Sequence, residues 1–184
     1  MISFRHSDIQ MYYQAFIRDM ENIESFKLRD PNDVKIKSIL NTDIYTKATR
    51  FLEASVKHVV FNCAVIRGDN ASAISELSSR LKRFNNPEFE KIKALLNQEL
   101  QFDIEDGLRA REFSGRDKQF LNEIVLNRHR NVHATEDPST WFSSNNKDLS
   151  NFEIEFAGLI NIISYIDCIT YNGSVFEFIA MELV

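Results

Sequence analysis

Residues 41–66, NTDIYTKATRFLEASVKHVVFNCAVI, decide the fold class. Ala48, Phe51, Leu52, Ser55, Val59, Cys63 and Ile66 recur at steps of three and four, which is one stripe of an α-helix. Apolar residues also spread over most of the circumference, as they do in a helix packed on several sides. The stretch is therefore the expected central helix of a bundle. Asn41, Thr42 or Asp43 supplies its expected N-cap, and Arg67-Gly68-Asp69-Asn70 stops it. The Arg-Gly-Asp tripeptide reads as a helix stop and not as an adhesion signal.

Working outward, the pattern stays helical. Ile9, Tyr12, Tyr13, Phe16, Ile17, Met20 and Ile23 predict a first helix over about Ser3 to Phe26. Lys27 to Asn32 breaks it at Pro31, and a short helix is expected over Asp33 to Leu40. A helical hairpin follows, Ala71 to Phe84 and Pro87 to Gln101, joined by Asn85-Asn86, with Pro87 read as part of the first turn of its helix. Asp103 to Arg111 predicts a short turn ended by Ser114-Gly115. A helix over about 116–133 follows, then a loop from Thr135 to Asn146 that Trp141-Phe142 pins to the bundle. C-terminal helices are expected over about 148–184: a long one from Asp148 to Tyr171, then, past Asn172-Gly173, an amphipathic segment SVFEFIAMELV that docks on the core or on a second subunit. Strand-like alternation is confined to short stretches such as Val175 to Met181.

Composition supports the same class. The 184 residues suit one domain, 1–184, with a proper core. Five Gly and three Pro are few, which favours long helices over a turn-rich β fold. An all-α fold with additional short helices is predicted. The N-terminus lacks a basic-then-apolar signal pattern, and the apolar run from Phe156 to Ile169 is broken by Asn161, Ser164 and Asp167, so no membrane association is expected. Cys63 and Cys168 sit in apolar helical patterns, as buried free thiols do, and point to a reducing cytoplasm. There is no P-loop, GxGxxG, Cys-x2-Cys or HExxH, and no cofactor is expected. A net charge of −5 argues against coating nucleic acid through general electrostatics. A local site is another matter: from Arg109 to His133 six basic residues face three acidic ones, a balance suited to a phosphate backbone.

The chemistry concentrates in residues 121–138, LNEIVLNRHRNVHATEDP. Leu121, Ile124 and Val125 form an apolar stripe, and continuing it in steps of three and four reaches Arg128, His129 and Val132. A guanidinium on a face that should be buried needs an anion, a carboxylate or a partner subunit there. Arg128, a polar His129 and then His133 at the end of a late helix, with four residues between Arg128 and His133, resemble the motif of the HEPN superfamily, many of whose members are metal-independent ribonucleases. Ala134 replaces the Gly common after the family's His, and outside the motif the likeness is one of pattern.

That resemblance implies a HEPN-like bundle, a homodimer with two motifs facing each other in one cleft, and RNA as substrate. It also implies that His133 acts as general acid or base and that Arg128 clamps phosphate. His and Arg suit the task, because imidazole titrates near neutrality and guanidinium stays charged and grips two phosphate oxygens. His129 is a supporting residue, and Arg130, Arg116 and Lys118 are candidate RNA contacts. Glu53 stands where family members place a supporting acid, although a solvated surface glutamate is the plainer reading. An antitoxin or regulatory partner would be encoded elsewhere.

Other readings stay open at this point. Arg128 and His133 also suit an interhelical salt bridge or the negative end of the helix dipole. His129 and His133, four apart, share a helix face as metal ligands do, without a third-ligand motif. A non-catalytic module binding RNA or a partner protein is the alternative function. His6 and His58 read as structural or solvated, with nothing in the sequence to bring them together.

Overall fold

Nothing between residues 34 and 67 breaks a helix, and the chain takes the longest one available. A computed structural model describes residues 2–27, 34–105, 115–133 and 152–179. Its elements are α1 (Ser7–Lys27), α2 (Val34–Arg67), α3 (Ala71–Arg83), α4 (Phe89–Leu100), α5 (Gly115–His133) and α6 (Phe152–Asp167), followed by β1 (Ile169–Tyr171) and β2 (Phe176–Phe178). The fold is all-α with one small antiparallel hairpin. Among the described residues, no helix is long and apolar enough to cross a membrane.

α2 is central, as its all-round apolar pattern predicts: it packs against α1, α3, α4, α5, α6 and β1. The separate helix expected over Asp33 to Leu40 and the cap at 41–43 are corrected, since α2 runs straight through. All three polar residues lie within the helix. Asn41 is buried, the Thr42 carbonyl accepts from Thr46 Oγ1 at 2.8 Å, and Asp43 pairs with Lys47 one turn on at 3.0 Å. At the other end, Gly68 takes a φ of 85°, and Arg67 turns onto Asp69 through two hydrogen bonds of 2.7 and 2.6 Å. Those bonds hold the Asp69 carboxyl below its ordinary value. Arg-Gly-Asp is here the staple of a helix end.

The core is aromatic where α1, α2 and α6 meet. Phe16 and Phe156 ring centroids are 4.4 Å apart, Phe152 stacks on Phe156, and Phe51 lies over Phe16. Burial of such rings dominates the energy of a domain this size. Of the predicted α1 stripe, Ile9, Phe16 and Ile23 are buried, and Tyr12, Tyr13, Ile17 and Met20 pack against the core. Neither cysteine is in a disulfide, and both are buried. Burial pushes the Cys63 thiol up to about 12, so it is no nucleophile.

α4 begins later than expected. Glu88 is its N-cap, which leaves Pro87 outside the first turn, and the Phe89 N–H is satisfied by Asn122 Oδ1 of α5 at 2.8 Å. α5 and α6 approach closely at Gly158, where an added Cβ would fall 2.2 Å from Asp117 Oδ1. A glycine in that helix is explained by its neighbour.

The C-terminal helices expected over 148–184 need the largest correction. α6 ends at Asp167, and the next residues pair as strands, Ile169 with Phe178 and Tyr171 with Phe176. β-branched and aromatic residues fit a pleated surface, and Asn172 and Gly173 form the turn between them. Gly173 has a φ of 97°, while Asn172 Oδ1 accepts from the N–H groups of Ser174 and Val175, each at 3.0 Å. Phe178 then stacks on Tyr165 with centroids 4.8 Å apart. The alternation seen in the sequence from Val175 onward was the signal. The turn predicted over Asp103 to Arg111 lies mostly outside the described residues, and the Trp141-Phe142 loop lies wholly outside them.

Candidate functional site

α5 presents its apolar stripe to α2 and α6 as the sequence predicts: Leu121, Ile124 and Val125 are buried. One turn on, Arg128 is part-exposed, and its Nη1 donates to Glu53 Oε2 of α2 at 3.4 Å. Glu53 Oε1 in turn accepts from Lys57 Nζ at 2.6 Å. Glu53 is thus not the freely solvated glutamate of the plainer reading. It pairs with Lys57 of its own helix and with Arg128 across the helix interface.

The register of that contact is set just below it. Thr49 Oγ1 lies 2.8 Å from the Tyr45 carbonyl in its own helix and 3.3 Å from the Ile124 carbonyl of α5. The Ile124 carbonyl is the one to which the Arg128 N–H is directed by helical geometry. Thr49 therefore ties α2 to the turn that carries the arginine. Exposure of about a quarter on each side limits what the ion pair is worth: Glu53→Gln should cost under about 1 kcal/mol of folding stability, read as a small shift of the urea midpoint.

Backbone geometry puts Arg128, His129 and His133 in the last two turns of α5, with His133 its final residue. The side chains of Arg116, His129, Arg130 and His133 lie outside the described residues. Lys118 is ten residues before Arg128 in the same helix, about 15 Å along the axis. Its ammonium is 3.2 Å from Glu105 Oε1 and 4.4 Å from the centroid of the Phe89 ring. Hydrogen bonds from Lys93 and then Lys118 hold the Glu105 carboxyl below the usual glutamate value. Lys118 is therefore engaged toward α4, away from the motif end of the helix.

Sequence reasoning missed a second cluster entirely. His6 and His58 meet edge to face with centroids 5.2 Å apart. His6 Nδ1 is 2.6 Å from Asp167 Oδ1, and its Nε2 is 2.6 Å from Asn62 Nδ2. The fully buried Asp167 also accepts from the backbone N–H groups of Arg5 and His6. Arg5 reaches Thr170 Oγ1 at 3.3 Å, and His58 Nδ1 lies 3.3 Å from Asp8 Oδ2. Both ring nitrogens of His6 are occupied, so the cluster reads as a structural tie between the N-terminus, α2 and the end of α6. Only the oddity of Asp167 in an apolar run hinted at it. Among the described residues, no group of three or more His, Cys, Asp or Glu is placed to hold a metal ion. Comparisons of the chain with protein-family models, with curated proteins and with solved structures each find no match.

Proposed function

We propose that the protein is a cytoplasmic, metal-independent RNA endonuclease of HEPN type, serving defence, stress response or a toxin–antitoxin pair. The observation that supports it most is the placing of Arg128: in the last two turns of α5, part-exposed, paired with Glu53 of the central helix, and five residues before His133. In this reading the ribose 2′-oxygen loses its proton to a base and attacks the adjacent phosphorus, while the 5′-oxygen leaves with a proton. The product ends are a 2′,3′-cyclic phosphate and a 5′-hydroxyl. His133 moves one of those protons, and Arg128 offsets the charge on the phosphorane oxygens. His129 supports the pair, and Arg130 contacts the RNA backbone.

The reading carries a homodimer, because an arginine stem along an apolar face with its head at the edge suits a shared, symmetric cleft. Light scattering at micromolar concentration should give twice the chain mass, and a monomer would count against the composite cleft. The enzyme itself is tested by incubating total RNA in EDTA with wild type beside His133→Ala and analysing the product ends. Wild-type-only cleavage leaving cyclic phosphate supports the proposal.

A second reading is a non-catalytic helical module that binds RNA or a partner protein. The Arg128–Glu53 ion pair favours it, since an interhelical bridge is also what a purely structural arginine makes. Binding of RNA without any cleavage by wild type would select it.

A further inference from the structure

A groove of about 280 Å³ opens between α1 and α2, lined by Tyr12, Ala15, Phe16, Asp19, Lys47, Arg50, Phe51 and Ala54. Two small residues, Ala15 and Ala54, leave the space, and the buried Phe16 and Phe51 rings give it an apolar floor. Its rim carries charge of two kinds. Lys47 is committed, 3.2 Å from Asp19 and 3.0 Å from Asp43. Burial opposes its charge, but the hydrogen bonds to Asp43 and Asp19 outweigh that and raise its pKa. Arg50 is exposed and makes no ion pair or hydrogen bond with the described residues. Tyr12 stands part-buried beside the same opening.

We propose that this groove binds one nucleotide of single-stranded RNA, with the base in the apolar slot against Tyr12 and the phosphate on Arg50. Base–aromatic stacking beside an arginine is the usual way a protein holds an unpaired nucleotide. The size fits one flat ring, being at the lower edge of the roughly 300–1,000 Å³ of pockets that enclose larger ligands. A second copy of the chain is a poorer occupant, because three charged side chains line the opening (Asp19, Lys47 and Arg50), and interface centres are depleted of charge. The location fits as well. Ala54 is the chain neighbour of Glu53, and Arg50 lies one turn before it, about 4.5 Å along the axis. Residues three apart share a helix face, so a phosphate on Arg50 would lie beside the Glu53–Arg128 contact. As a substrate subsite, the groove rests on the ribonuclease reading above.

The test uses the four ribonucleoside 5′-monophosphates, which have no bond for the enzyme to cleave, so binding is read apart from catalysis. Saturable NMR shifts are expected at the amides of Ala15, Lys47, Arg50 and Ala54. Affinity should fall roughly tenfold in Tyr12→Ala and by a similar factor in Arg50→Ala, whose exposed side chain can be removed without touching the core. Ala54→Trp, which fills the slot, should abolish binding while amides of α3 and α4 stay unmoved. Shifts absent at millimolar nucleotide, equal shifts with inorganic phosphate alone, or shifts that follow protein concentration without nucleotide would each overturn the site. Nucleotide binding in a protein that cleaves no RNA would keep the site and end the enzyme. Cleavage without these shifts would do the reverse.

Discussion

Separate His133→Ala and Arg128→Ala substitutions are each expected to slow RNA cleavage by about 10²–10⁴-fold while leaving a folded protein. For His133 the loss follows from chemistry without a metal. The 2′-hydroxyl is a weak acid and the 5′-oxygen a poor leaving group, so a side chain must move protons near neutral pH, and imidazole is the one that does so unaided. For Arg128 the loss is of charge where the phosphorane gathers it. Removing the arginine also releases Glu53, and two controls separate the roles. Glu53→Gln loosens the arginine but keeps it, so it should lower cleavage far less than Arg128→Ala. Arg128→Lys keeps the charge but not the two-pronged grip on phosphate oxygens, and should recover only part of the rate. Circular dichroism and urea midpoints near wild type would show that the variants fold. Wild-type rates in both alanine variants would end the assignment, and an equal loss in Glu53→Gln and Arg128→Ala would recast the pair as structural.

The helices were legible because their apolar stripes are long and regular. α2 shows this best: the same all-round pattern that makes Val56, Val59, Val60 and Ala64 buried on several sides also marks it as central. Boundaries were less legible, for a physical reason. Asn41, Thr42 and Asp43 look like a cap in sequence, but all three lie inside α2, where Asn41 is buried and Asp43 pairs with Lys47 one turn on. The C-terminal hairpin was hidden by its brevity, since a three-residue strand such as Ile169 to Tyr171 follows within two residues of the apolar pattern of α6 with no Gly or Pro between them. Within the site, the stripe of α5 located Arg128, but its partner could not be found by spacing. Glu53 is 75 residues away, and only the packing of α2 on α5 joins them. The His6 cluster is a stronger case, because its His6–Asp167 bond spans 161 residues.

That cluster carries the second large effect. Asp167→Ala is expected to cost about 3 kcal/mol of folding stability, a sizeable share of the roughly 5–15 kcal/mol that holds a typical domain. The carboxylate has no access to water, and it accepts the His6 imidazole together with the backbone N–H groups of Arg5 and His6. Removing it leaves those donors facing a hole at the end of α6. Asn62 Nδ2 lies 2.6 Å from His6 Nε2, and with that amide nitrogen as donor the ring proton is assigned to Nδ1, facing Asp167. Alanine therefore strands a donor that cannot simply be reversed without losing Asn62. Asn62→Ala removes only the outer hydrogen bond of a part-exposed group and should cost nearer 1 kcal/mol. The effect of Asp167 reaches beyond its own contacts, because Arg5, which it holds, is the chain neighbour of Phe4, whose ring packs on Tyr13 and Phe51. Losing the tie should loosen the N-terminal residues first, and early proteolytic cleavage before α1 should accompany the lower stability. With an m-value of about 2–3 kcal/mol/M, the urea midpoint should fall by about 1 M or slightly more. A shift within error of wild type, with the N-terminus still protected, would mean that Phe4 and the aromatic core hold this end of the chain and the buried carboxylate adds nothing net.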